Sequence, residues 1–120
     1  MIYSIGYQGR TLQDLISVLQ AHGVRTLVDV RSRPYGRRPE FNKTRITAPL
    51  QAAGIDYIWS GKYLGGFSPI QEGEIRSLAE WQENKTVCIM CMERDYKTCH
   101  RYSEIGKRLE KYGVQVEHLG

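Results

Sequence analysis

Short apolar runs alternate along this chain with stretches whose apolar residues recur every three or four positions. Residues 2–5 (Ile-Tyr-Ser-Ile) make a strand-length run, ended by Gly6 and Gly9. Thr11 then suits a helix N-cap, with Asp14 three residues on as its acidic partner. Leu12, Leu15, Ile16 and Leu19 share one helical stripe, and Gly23 stands where a helix end favours a left-handed residue. Residues 26–30 (Thr-Leu-Val-Asp-Val) predict a second strand, apolar enough for burial on both faces. A short helix is expected near 44–53, closed by Gly54 and limited by Pro49. Residues 55–59 form a weaker third strand, 61–69 a loop, and 72–83 a helix carrying Ile75, Leu78 and Ala79. Residues 86–91 are the fourth strand. A helix from about 98 to 112, carrying Tyr102, Ile105, Leu109 and Tyr112, ends at Gly113 before the last strand at 114–118.

Strand followed by helix, repeated to the end, predicts an α/β fold: one domain over residues 1–120, a three-layer sandwich around a mostly parallel five-stranded sheet. Five strands are too few for a closed eight-stranded parallel barrel. At 120 residues the chain can bury a core without staples, and 41% hydrophobic with 25% charged residues is ordinary for a soluble protein. No apolar run nears the roughly 20 residues of a membrane span. The first residues also lack the basic-then-apolar pattern of a signal peptide, so a cytoplasmic protein is expected.

Charge changes the picture through its placement. Between Arg31 and Arg45 stand Arg31, Arg33, Arg37, Arg38, Lys43 and Arg45 against Glu40 alone. That stretch carries +5 of a net +4, leaving −1 for the rest of the chain. A local basic segment predicts phosphate as a partner, on a small molecule or along a nucleic acid. Three cysteines in such a chain predict reduced thiols rather than a disulfide framework.

Chemistry concentrates after the fourth strand, where Cys91, Glu93, Cys99, His100 and Arg101 fall within eleven residues. In an open parallel sheet the strands' C-terminal ends share one edge, and ligands bind there. Gly6, Tyr7 and Arg10 follow the first strand, Asp29, Arg31, Arg33 and Arg37 the second, and Tyr63 the third, with His118 ending the fifth. Cys99, Glu93, His100 and Cys91 are the expected catalytic group. Gly6, Tyr7, Arg10, Asp29, Arg31, Arg33, Arg37, Tyr63 and Arg101 are the expected substrate contacts. Gly6-Tyr-Gln-Gly9 offers backbone N–H groups to an anion, although it lacks a full dinucleotide fingerprint. Asp29 needs a cation or donors if buried, and Arg31 lies on its face of the strand. Cys88 and Cys91, an odd separation apart, point to opposite faces, which makes Cys88 a core residue. Cys99 sits near a helix N-terminus beside cations, a setting that favours a reactive or ligating sulfur. Cys91, Cys99, His100 and His118 are suitable ligand types for a metal, but their spacing is not that of a regular zinc site. No metal or other cofactor is assigned.

The stretches Ser4-Ile-Gly-Tyr-Gln-Gly-Arg10, Leu27-Val-Asp-Val-Arg-Ser-Arg-Pro34, Phe41, Tyr63-Leu-Gly-Gly66, Met90-Cys-Met-Glu93 and Cys99-His-Arg101 resemble the family catalogued as domain of unknown function 488. The resemblance implies a small α/β fold with a polar pocket at the sheet edge and supplies no reaction. Members commonly carry His where this chain has Tyr7. Leu27-Val-Asp-Val-Arg31 is also similar to a strand of rhodanese-like domains, and Cys88 to Arg94 has the Cys-x5-Arg count of a phosphatase loop without its glycines. The leading expectation is an enzyme acting on a phosphate-bearing substrate, a nucleotide or nucleic-acid base. The alternatives are a non-catalytic nucleic-acid-binding module and a thiol-based redox or sulfur-transfer protein.

Overall fold

A computed structural model describes residues 1–65 and 69–120, with the side chains of 101–103 outside the description. Gly66 and the side chains of Arg101 and Tyr102, all singled out from sequence, therefore lie outside the described residues.

The chain runs β1 (Ile2–Gly6), α1 (Leu12–Ala21), β2 (Thr26–Asp29), a 3-10 turn at Pro39–Phe41, α2 (Lys43–Ala52) and β3 (Asp56–Trp59). Then follow α3 (Gly61–Leu64), α4 (Glu72–Asn84), β4 (Val87–Cys91), a second 3-10 turn at Tyr96–Thr98, a wide helical segment at Arg101–Gly106, α5 (Lys107–Glu110) and β5 (Val116–His118). Thr11 caps α1 as its sequence predicts, its hydroxyl accepting the Asp14 N–H at 3.0 Å. Gly23 closes that helix with φ +69.

All strand pairings are parallel, in the order β3-β2-β4-β1-β5. The sandwich follows from alternation within the strands. Along β4, Val87, Ile89 and Cys91 join one core with Ile75 and Leu78 of α4 and Leu109 of α5. Cys88 and Met90 join the other, with Leu15 and Leu19 of α1 and Ile46 and Leu50 of α2. Every residue of β4 is buried, the signature of a central strand covered on both faces. The expected placement of Cys88 opposite Cys91 holds, and Cys88 is fully buried.

The order of strands also explains where a site can open. β1 and β2 lead into helices on one face, whereas β4, lying between them, leads into α5 on the other. The connections part there, leaving a crevice beyond the carboxyl ends of these three strands.

Two expected elements differ. The stretch after β3 contains a helical turn, α3, where a loop was predicted. Gly61 permits it: a Cβ there would lie 1.8 Å from the Arg31 carbonyl oxygen, so only glycine lets this turn approach the end of β2. The predicted helix at 98–112 starts later, because Cys99 is extended (φ −116, ψ 145) and regular α geometry spans only Lys107–Glu110.

Candidate active site

β1, β2 and β4 end around a cavity of about 760 Å³, within the usual range for small-molecule sites. Tyr7, Gln8 and Gly9 reach it from β1, and the stretch from Arg31 to Arg38 forms a second wall. Cys91, Met92, Glu93 and His100 form the third. Cys91, Glu93 and His100 thus share one cavity with the Arg31–Arg38 part of the basic segment, whereas Cys99, the first of the expected catalytic residues, does not line it.

Arg31 is built into the floor of this cavity and is 7% exposed. Its backbone N–H and its Nε donate to Asp29 Oδ1 at 3.0 and 2.9 Å, and its Nη2 donates to Oδ2 at 2.7 Å. The same Nη2 donates to the Phe41 carbonyl at 2.8 Å, and Nη1 reaches the Tyr7 hydroxyl at 3.4 Å. Burial works against the guanidinium's charge, but the hydrogen bonds and attraction of Asp29 outweigh it, and the Arg31 pKa is raised. Asp29 is fully buried and does not line the cavity. Its expected role as ligand contact becomes that of a carboxylate holding Arg31 in place.

Tyr57 of β3, which sequence reading missed, donates its hydroxyl to Asp29 Oδ2. The signal was β3 lying beside β2, in register from Thr26↔Asp56 to Asp29↔Trp59. Burial first, then the negative charge of Asp29, raises the Tyr57 pKa. A phenol with a raised folded-state pKa contributes stability that is intact below its unfolded pKa of about 10 and is lost as pH rises beyond it. The Tyr57→Phe variant should lose about 1.5–2 kcal/mol at neutral pH and show a shallower fall in stability above pH 10. Urea titrations across pH check both, and an unchanged alkaline slope would contradict the assignment.

The group after β4 is drawn together by local turns. The Asp95 carboxylate accepts the Lys97 N–H at 3.0 Å, and the Cys99 N–H donates to the Tyr96 carbonyl at 3.2 Å. This reversal returns Cys99 to the end of β4, where its sulfur meets that of Cys91 across a Cα separation of 7.6 Å. Eight positions apart, the two cysteines meet because the loop folds back. Cys99 is extended rather than helical, and His100 Nδ1 lies 3.7 Å from Cys99 Sγ. His100 Nε2 lies 3.1 Å from the Val30 carbonyl oxygen. That oxygen only accepts, so Nε2 carries a proton and donates to it, with Nδ1 turned toward the sulfur.

Several expected contacts have other employment. The Tyr7 and Gln8 N–H groups donate to the Cys91 and Met92 carbonyls at 3.2 and 2.9 Å, so they extend the sheet and are not offered to an anion. Gly6 faces the Glu93 backbone instead of ligand. Arg10, 5% exposed, donates to the Gly6 carbonyl at 3.1 Å, to Asp14 at 3.0 Å and to the Gly120 carbonyl, which fastens the segment after β5. Tyr63 is exposed outside the cavity, with the Lys62 ammonium 5.6 Å from its ring. Trp59 spends its indole N–H on the Arg31 carbonyl at 2.8 Å. His118 bonds Ser4 through Nδ1, stacks on Tyr96 at 4.2 Å and lines a separate cavity of about 360 Å³. Tyr7 does reach the cavity, but its ring is stacked on Phe41 at 4.4 Å.

Arg33 and Arg37 are exposed on the cavity wall, with Tyr35 between them in the chain. Arg38 is largely structural: it donates to Glu40 at 3.1 Å and to the Tyr7 and Arg10 carbonyls. Sequence reading missed Ser32, Tyr35 and Met92 as lining residues, each within two positions of a residue it did select. A Cys-x5-Arg loop starting at Cys88 is excluded, because that thiol is buried within β4 on the face opposite Cys91.

Fold and site together define an open, doubly wound α/β protein with one mixed basic and thiol-bearing pocket at the carboxyl edge of its sheet. The family model described as Domain of unknown function DUF488 matches residues 11–74, just over half of the chain, and the chain belongs to that family. No curated protein and no solved structure matches it. Among the described residues no helix is long and apolar enough to cross a membrane.

Proposed function

We propose that the cavity binds a phosphate-bearing substrate, a nucleotide or nucleic-acid base, and acts on it as an enzyme. The observation that carries this reading is that Arg33 and Arg37 line the same cavity as Glu93, Cys91 and His100. The two arginines supply charge for phosphate. Tyr35, 55% exposed between them, is the aromatic face on which a base stacks. Glu93 serves as general acid or base, beside a histidine whose tautomer is set by the Val30 carbonyl. Arg31, held by Asp29, presents fixed positive charge from the floor of the cavity.

A panel of nucleoside phosphates and short single-stranded oligonucleotides tests the reading by calorimetry and product analysis. Arg33→Ala combined with Arg37→Ala should weaken binding by about 10-fold or more and flatten its salt dependence. Glu93→Gln should lower turnover by about 100-fold or more with melting unchanged. Full turnover in Glu93→Gln would remove the enzyme assignment. Salt-sensitive binding with no turnover by the wild type would favour a non-catalytic nucleic-acid module, which the exposed Arg33, Tyr35 and Arg37 also suit.

A further inference from the structure

We infer that, when the Cys91–Cys99 pair is reduced, Cys91, Cys99 and Glu93 form a binding site for a zinc-class divalent cation, with one coordination position open to the cavity. The ligand atoms of these three residues lie within 4.8 Å of one another, although they come from the end of β4 and from the returning loop. A tetrahedral zinc with bonds of about 2.3 Å to sulfur and 2.1 Å to oxygen separates its ligand atoms by about 3.6–3.8 Å. Small side-chain adjustments bring the cluster to that spacing. The Cα separation of 7.6 Å exceeds the roughly 4.4–6.8 Å that disulfides usually span, and it suits two thiolates with an ion between them.

The donors select the metal class. Two thiolates with one carboxylate suit borderline-soft zinc, whereas magnesium and calcium take oxygen ligands alone. Both cysteines are nearly buried, at 2% and 3% exposure, while Cys91 and Glu93 also line the cavity. An ion held by them would keep a face toward the substrate space, the arrangement of three protein ligands plus water that catalytic zinc uses. His100 Nδ1 lies 3.7 Å from Cys99 Sγ, next to this cluster.

A Cys91–Cys99 disulfide and the metal exclude each other. Reduction by a phosphine consumes the S–S bond: the phosphine gives two electrons and takes oxygen from water, whose two hydrogens protonate the sulfurs. Zinc then displaces the thiol protons. The inference rests on the proposed enzyme reading only for its chemical use, not for the existence of the site.

The test is zinc binding by the full chain, reduced with a phosphine under argon, read by calorimetry with a competing chelator and by metal analysis. Cobalt(II) serves as a spectroscopic probe. Reduced protein should bind about one zinc per chain and show tetrahedral cobalt bands with a thiolate charge-transfer band, and oxidised protein should show neither. Cys91→Ser and Cys99→Ser should each weaken zinc by about 100-fold or more and Glu93→Ala by about 10-fold or more, while Cys88→Ala leaves affinity unchanged. Reduced wild type without zinc, or zinc affinity equal in Cys91→Ser, would overturn the site. Nucleotide affinity measured on the same samples separates the two readings. Lost zinc with retained Arg33- and Arg37-dependent binding refutes the metal alone, and the converse refutes the substrate class alone.

Discussion

Asp29→Ala should destabilise the protein by about 3–5 kcal/mol, because it strands a buried guanidinium. Asp29 is fully buried, and both of its oxygens are occupied by Arg31 and Tyr57. Removing the carboxylate leaves Arg31 with the Phe41 carbonyl and a long contact to Tyr7 as its remaining partners. Arg31 cannot neutralise itself by losing a proton, so the cost falls on folding. Asp29→Leu combined with Arg31→Met should be milder than Asp29→Ala alone, since no buried charge is left uncompensated. Urea unfolding of the three proteins measures the difference, and a loss below about 1 kcal/mol for Asp29→Ala would show that water reaches the pair.

Gly6→Ala should be the most damaging single methyl addition at the site. A Cβ at residue 6 would stand 1.9 Å from the Glu93 carbonyl oxygen and 2.8 Å from the Arg94 Cα. The obstacle is backbone, which cannot rotate away as a side chain can, so a cost at or above the roughly 1–3 kcal/mol of ordinary overpacking follows. Gly6 also sets the position of Glu93, so Gly6→Ala should weaken zinc and turnover beyond its effect on melting. Native stability together with native zinc affinity in this variant would contradict the close approach.

The layers of the fold were readable because burial imposes a period. The β4 run and the α1 stripe report directly which face meets a core, and the core clusters agree with both. The site was legible in composition but not in employment. Cys91, Glu93 and His100 share a wall as their crowding in the sequence suggested. Arg10 and Asp29 have the residue types of ligand contacts but are consumed by the fold, because a buried polar group must find a partner wherever the packing puts it. The meeting of Cys91 with Cys99 depended on a turn capped by Asp95 and on one extended residue inside an otherwise helical pattern. No periodicity encodes such a reversal.

The place of β4 between β1 and β2 has a consequence for how this chain acquires its shape. Its two neighbours pair with it and not with each other, so the middle of the sheet stays unzipped until residues 87–91 have left the ribosome. A fragment trimmed to residues 11–74 would keep the β2–β3 pair alone, with an apolar border of β2 exposed to its neighbours in solution. Such a fragment should clump rather than fold, and the 120-residue chain should collapse late, through contacts between segments synthesised far apart.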